Sequence, residues 1–147
     1  MNEQLENRNL SEVLPLIPPK QAKAMLPIST AAAELVLRTR RAIRDVLHGR
    51  DRRRMVVIVG PCSLHDPDAA LDYAERLRRA TVGSEADLIV LMRAYFEKPR
   101  TTVGWKGLIN DPRLDGSCEV AEGLVLARRL LLRINEMGLP CATELLD

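Results

Sequence analysis

The apolar positions along the chain follow two kinds of pattern, and their alternation predicts the architecture. Met55–Val59 is a continuous, largely β-branched run, the signature of a strand covered on both faces. Gly60-Pro61 stops it, and Asp66-Pro67 supplies a helix N-cap followed by proline at the first helical position. From there to about residue 80, Ala70, Ala74 and Leu77 recur at helical spacing. A polar break at residues 83–87 precedes a second apolar run, from Leu88 to about Ala94, so that strand, helix and strand form a right-handed βαβ unit. Residues 120–137 predict another long helix, with Leu124, Ala127, Leu131 and Ile134 on its apolar face and Gly138 and Pro140 ending it. Residues 141–146 predict a third strand. This repeat fits either a doubly wound sheet or a (β/α)8 barrel.

Upstream of the first strand, Ser29 or Thr30 caps a helix reaching about His48, with Ala32, Val36, Ile43 and Val46 or Leu47 on one face and Gly49 at its end. Residues 1–28 are polar at first and then carry Pro15, Pro18, Pro19 and Pro27. Such punctuation interrupts regular structure and predicts an arm lying across another surface, with Leu14, Leu16 and Ile17 as its anchors, or else a frayed tail. Arg50 and Arg52 to Arg54, around Asp51, read as a solvated connection.

Composition narrows the function classes. With 147 residues, 46% hydrophobic and 29% charged, the chain suits one ordinary soluble domain with a real core. A net charge of +2 is too small to argue for nucleic acid, and one Trp, two Tyr and one Phe form no stacking platform for bases. No apolar run approaches the roughly 18 residues of a membrane span, and the polar N-terminus is unlike a signal peptide. Three cysteines without framework spacing fit a reducing compartment, and a cytoplasmic protein is expected. No G-x-G-x-x-G or Walker loop follows either early strand, which disfavours a nucleotide fold.

The candidate chemistry concentrates where the second strand ends. Arg93, Lys98, Arg100 and Lys106 lie close together in R-A-Y-F-E-K-P-R-T-T-V-G-W-K-G-L-I-N-D-P, opposed only by Glu97 and Asp111. An arginine that ends a buried strand must have its charge compensated, so Arg93, Lys98 and Arg100 are expected to converge on phosphate or carboxylate groups, with Pro99 stiffening the chain between them. Cys62 and His65, spaced C-x-x-H, find no second pair for a structural zinc site. Cys62 alone, at a strand's carboxyl end, reads either as one ligand of a metal whose other ligands come from other strands or as a plain buried thiol. His65 is expected to pack or cap near the helix start, Cys118 and Cys141 to be ordinary small residues, and Trp105 to line a pocket or pack beneath the loop.

Three stretches carry a resemblance: V-V-I-V-G-P-C-S-L-H-D-P at 56–67, M-R-A-Y-F-E-K-P-R-T-T-V-G-W-K-G-L-I-N-D-P at 92–112, and G-L-P-C-A-T-E-L-L-D at 138–147. Together they resemble the first part of the type I, feedback-regulated microbial 3-deoxy-D-arabino-heptulosonate 7-phosphate synthases. The resemblance implies a (β/α)8 barrel whose first βα units occupy residues 55–147, preceded by an arm and helix, residues 1–54, that make oligomer contacts. It implies an aldol-like condensation of phosphoenolpyruvate with erythrose 4-phosphate at the entry to aromatic amino-acid biosynthesis, a divalent metal ion, an aromatic amino-acid effector and a homo-oligomer. By motif, Cys62 matches a metal ligand and Arg93 a phosphoenolpyruvate contact. Lys98 matches a catalytic residue beside the reacting carbons, and Arg100 and Thr101 match contacts to erythrose phosphate. The family's other ligands, a His, a Glu and an Asp, belong to later strands, and His48, His65 and Glu144 do not stand at matching positions. A complete barrel needs about 250 residues, so a truncated barrel is expected here. The alternative function is that of a non-catalytic fragment, at most a phosphate-binding or subunit-interaction module.

Overall fold

Residues 13–100 and 103–144 are described by a computed structural model of the chain. Its elements run α1 (Pro19–Met25), α2 (Thr30–Leu47), β1 (Met55–Val59), α3 (Pro67–Ala80), β2 (Leu88–Arg93), α4 (Val120–Glu136) and β3 (Cys141–Ala142). The strands form one parallel sheet in the order β1-β2-β3, with Met55 opposite Leu88, Val59 opposite Met92, and Met92 opposite Cys141.

Local chemistry sets these boundaries. The Asp66 carboxylate accepts the backbone N–H groups of Asp68 and Ala69 at 2.8 and 3.1 Å, satisfying two of the donors that an α-helix leaves free at its start, and Pro67 lies in the first turn of α3. Ser29 Oγ does the same for Ala32 at the start of α2. Gly49 takes a φ of 67°, where a side chain would be strained, and so ends that helix cleanly. In the connection to β1, Asp51 accepts the amides of Arg54 and Arg53 and the Arg54 guanidinium, and these bonds, the Arg54 amide first, hold its carboxyl below the usual carboxylate range.

One core lies between the sheet and the pair α3 and α4. Met92 and Ala94 from the sheet side meet Ala70 and Ala74 of α3 and Ala127, Leu130 and Ile134 of α4, with Phe96, Leu108 and Leu139 sealing the ends. Side chains alternate along a strand, so Ile89, Leu91 and Arg93 occupy the face opposite Met92. Helix α2 packs on α4 and on both long strands.

Three expectations are corrected. The proline-rich arm contains a helix, α1, because Pro19 sits at a first-turn position where its missing N–H costs nothing. Of its three expected anchors, Leu14 and Leu16 are 70% and 55% exposed within this chain and Ile17 is half-buried. The buried stripe of α2 is Ala32, Leu35 and Thr39, while Leu47 is 77% exposed; on α4, Ala127 and Ile134 are buried as expected, but Gly123 and Leu130 complete the stripe and Leu124 and Leu131 are half-buried. Strand β1 is not covered on both faces: Met55 and Ile58 are 65% and 55% exposed, and β2 is its only strand neighbour among the described residues. Residues 145–147, the end of the expected third strand, lie outside the described residues.

Candidate active site at the carboxyl ends of the strands

The three strands end side by side, and the turns that leave them are stitched together. Leu64 donates its amide to Tyr95 O at 2.7 Å, joining the exit of β1 to that of β2, and Ala94 donates to Ala142 O at 2.8 Å, joining β2 to β3. Gly60 makes the first of these approaches feasible, since a Cβ there would lie 2.6 Å from Arg93 O. Beyond Phe96 the chain turns back on itself through a bridge between Glu97 and Gly107, reinforced by the Lys98 amide on Lys106 O at 2.8 Å. Gly107, at φ 114°, lets the returning segment press on the Phe96 carbonyl where any Cβ would collide.

Within this frame two of the expected side chains meet Cys62. Lys98 Nζ donates to Cys62 Sγ at 2.8 Å, and one terminal nitrogen of Arg93 donates to Cys62 O at 3.3 Å. The Arg93 guanidinium also lies over the Tyr95 ring, 4.1 Å from its centroid, which orients it. Its Nε is buried and has no hydrogen-bond partner among the described residues, a costly condition for a charged donor unless an acceptor completes it. Lys98 lowers the pKa of the Cys62 thiol, first by hydrogen bonding and then by charge, with Arg93 and Arg100 adding to it. The alternative of a plain buried thiol is excluded, because Cys62 is exposed.

Arg100 stands apart from this group: its Nε donates to Trp105 O at 3.2 Å, and its side chain passes close to Gly104. Thr101 lies outside the described residues. Trp105 does both things expected of it, packing against the core and lining a cavity of about 400 Å³ with Lys106, Asn110 and Asp111. His65 is exposed, and the helix cap beside it belongs to Asp66. Cys118 is exposed, and burial pushes the Cys141 thiol up to about 12.

A soft anionic donor such as Cys62 suits one position around a divalent metal, but among the described residues no three His, Cys, Asp or Glu side chains come together. The fit is therefore to a single ligand. A further cavity of about 370 Å³ lies at the other end of the strands, near Leu88 and Pro140; of its arginines, Arg38 and Arg78 are exposed and Arg54 half-buried, and it is remote from this chemistry.

Sequence reasoning missed Glu144, whose carboxylate accepts the amides of Phe96 and Glu97 at 2.6 and 2.7 Å. It also missed Gly123, a helix-interior glycine on which a Cβ would strike the Ile109 carbonyl. A glycine inside a strong helical pattern was a usable signal of close approach; for Glu144 no local signal existed.

Parallel strands joined by helices, with a thiol and cationic side chains gathered at their carboxyl ends, define an α/β protein. The chain belongs to the DAHP synthetase I family, whose model matches residues 24–147. It is 53% identical over 147 residues to a phospho-2-dehydro-3-deoxyheptonate aldolase of Amycolatopsis methanolica, covering all of this chain and 72% of that protein. It is 49% identical over 143 residues to the Tyr-sensitive phospho-2-dehydro-3-deoxyheptonate aldolase of Escherichia coli K12, covering 97% of this chain but only 40% of that one. The structure of the phospho-2-dehydro-3-deoxyheptonate aldolase from Francisella tularensis SCHU S4 superposes with a TM-score of 0.89 at 47% identity, over 95% of this chain and 40% of that chain. The chain thus spans about two fifths of the length of the Escherichia coli and Francisella proteins.

Proposed function

We propose that this chain carries the first part of the active site of a 3-deoxy-D-arabino-heptulosonate 7-phosphate synthase, which condenses phosphoenolpyruvate with erythrose 4-phosphate and releases phosphate. The observation that carries the reading is the meeting of Arg93, Lys98 and Cys62 at adjacent strand ends, with a buried Arg93 Nε that no described residue satisfies. In this reading residues 55–147 are the opening βα units of a (β/α)8 barrel; the sheet order β1-β2-β3, advancing in one direction, supports it. Residues 1–54 form an arm and helix that contact another subunit of a cytoplasmic homo-oligomer. An aromatic amino acid is the effector, by likeness to the relative named as Tyr-sensitive.

Both substrates are polyanions, and bringing them together costs Coulomb energy that fixed cations offset. Arg93, held by Tyr95 and Cys62 O, retains Nε–H as a directed donor for phosphoenolpyruvate. Lys98 reaches the same anion beside the reacting carbons, while Arg100 and Thr101, further along the loop, take the erythrose phosphate. Cys62 provides one ligand to a divalent metal ion, which when bound polarises the aldehyde oxygen. The remaining ligands are not among the described residues.

The test is phosphate release from the two substrates by the purified protein, with and without chelator, beside Cys62→Ala and Lys98→Ala. Metal-dependent turnover lost in both variants supports the reading. Turnover indifferent to Cys62 would return that residue to a structural role. A folded protein that binds phosphate compounds through these cations without turnover would favour the binding-module alternative.

A further inference from the structure

Glu144 lies two residues beyond β3, yet its hydrogen bonds are spent at the exit of β2. Its Oε1 accepts from Phe96 N at 2.6 Å and from Glu97 N at 2.7 Å, across 48 and 47 residues of chain, and its Oε2 accepts from Thr143 Oγ1 at 3.0 Å. Among the described residues it has no cationic partner at ion-pair distance, so backbone amides neutralise this half-buried carboxylate. The two amides are consecutive, and both face one oxygen. That arrangement fixes the direction in which the chain leaves Ala94 and Tyr95. Phe96, 2% exposed, is locked into the core by its ring, and Lys98 begins the returning segment. Between the anchored ring and the Lys98 side chain only Glu97 intervenes.

We infer that Glu144 is a positioning residue: by accepting the Phe96 and Glu97 amides it sets the backbone from which Lys98 reaches Cys62 and the phosphoenolpyruvate site. The inference rests on the functional reading above for what Lys98 contacts, but not for the positioning itself. In these contacts the carboxylate works as a hydrogen-bond acceptor. A side chain with the same oxygen and no charge therefore replaces it, whereas a side chain without the oxygen does not.

The experiment compares Glu144→Gln and Glu144→Ala in the full chain by amide hydrogen exchange without ligand, and by calorimetric titration with phosphoenolpyruvate. In Glu144→Ala the amides of Phe96 and Glu97 are expected to exchange at least about tenfold faster, while those of Leu91 in β2 and Leu130 in α4 keep their protection. Phosphoenolpyruvate affinity is expected to fall by about tenfold in the same variant, and Glu144→Gln restores both. Unchanged exchange at Phe96 and Glu97 in Glu144→Ala overturns the inference. So does freed exchange with unaltered affinity, or a Gln variant as impaired as Ala. If the unsubstituted protein binds no phosphoenolpyruvate, it is the functional reading that fails, and exchange at the two amides decides the positioning role alone.

Discussion

Lys98 Nζ stands 2.8 Å from Cys62 Sγ although 36 residues separate them, so the ammonium is the nearest counter-charge to the exposed thiol. A pKa held below the usual thiol range keeps the thiolate populated at lower pH than in an ordinary cysteine. In chelator, iodoacetamide is expected to label Cys62 first, with a rate–pH midpoint below that of free cysteine, and Lys98→Met to move that midpoint upward. Mass-spectrometric labelling rates across a pH series check this; equal rates at Cys62 and Cys118, insensitive to Lys98, would contradict it.

Cys141 makes the opposite case. Burial raises its thiol from 9.0 to about 12, so the folded state keeps the proton over a range in which the unfolded chain releases it. The unfolded state then binds fewer protons, and stability is full below pH 9 and declines as pH rises toward 12, by at most about 1.4 kcal/mol per pH unit. Denaturant titrations at pH 8 and pH 10 are expected to differ in this direction, and Cys141→Ala to reduce the difference.

The two arginines should separate by substrate. Arg93→Ala is expected to weaken phosphoenolpyruvate binding, and Arg100→Ala mainly to raise the requirement for erythrose 4-phosphate, because each guanidinium meets a different anion. Arg93→Lys should behave more like Arg93→Ala than like the unsubstituted protein, since a single ammonium cannot donate to Cys62 O, stack flat over Tyr95 and present a separate Nε–H at once. Isothermal titration of each variant with each substrate provides the check.

Gly107→Ala and Gly123→Ala are both expected to destabilise the fold by at least about 2 kcal/mol in urea unfolding. The reasons differ. At Gly107 the backbone itself is in a region closed to side chains, with a φ of 114°. At Gly123 alanine would favour the helix by about 1 kcal/mol, but the added methyl drives into the Ile109 carbonyl. Stabilisation by Gly123→Ala would show that the loop before α4 yields freely.

What could be read from the chain follows the range of the forces involved. Met55–Val59 and the start of α3 were legible because a β-branched run and an Asp-Pro cap act over a few residues. The cations after β2 were legible because a charge at the end of a buried strand needs a partner wherever that strand lies. The α1 helix was missed because its prolines signal a break in general and a helix start only in one position. The apolar face of α2 was rotated, and that of α4 half right, because their neighbours, not their own periodicity, choose which residues are covered. The Cys62–Lys98 pair was half legible, as two residues of suitable chemistry without their contact. Glu144 was not legible as a clamp, since its partners are backbone amides 47 and 48 residues upstream, and an amide has no identity in a sequence.

Arg128 of α4 donates twice to the carbonyl of Leu26, from Nε at 2.9 Å and from its terminal nitrogen at 2.6 Å, across 102 residues. This clasp gives the molecule a schedule during its synthesis. At about 5–20 residues per second, Leu26 is made roughly 5–20 s before Arg128, and until then the end of α1 has no guanidinium to hold it. Met25 and Ile28 flank that carbonyl and stay 56% and 47% exposed even in the finished fold. The arrival of α4 is thus the event that fixes the end of α1, through two hydrogen bonds to one carbonyl and not through burial of these side chains.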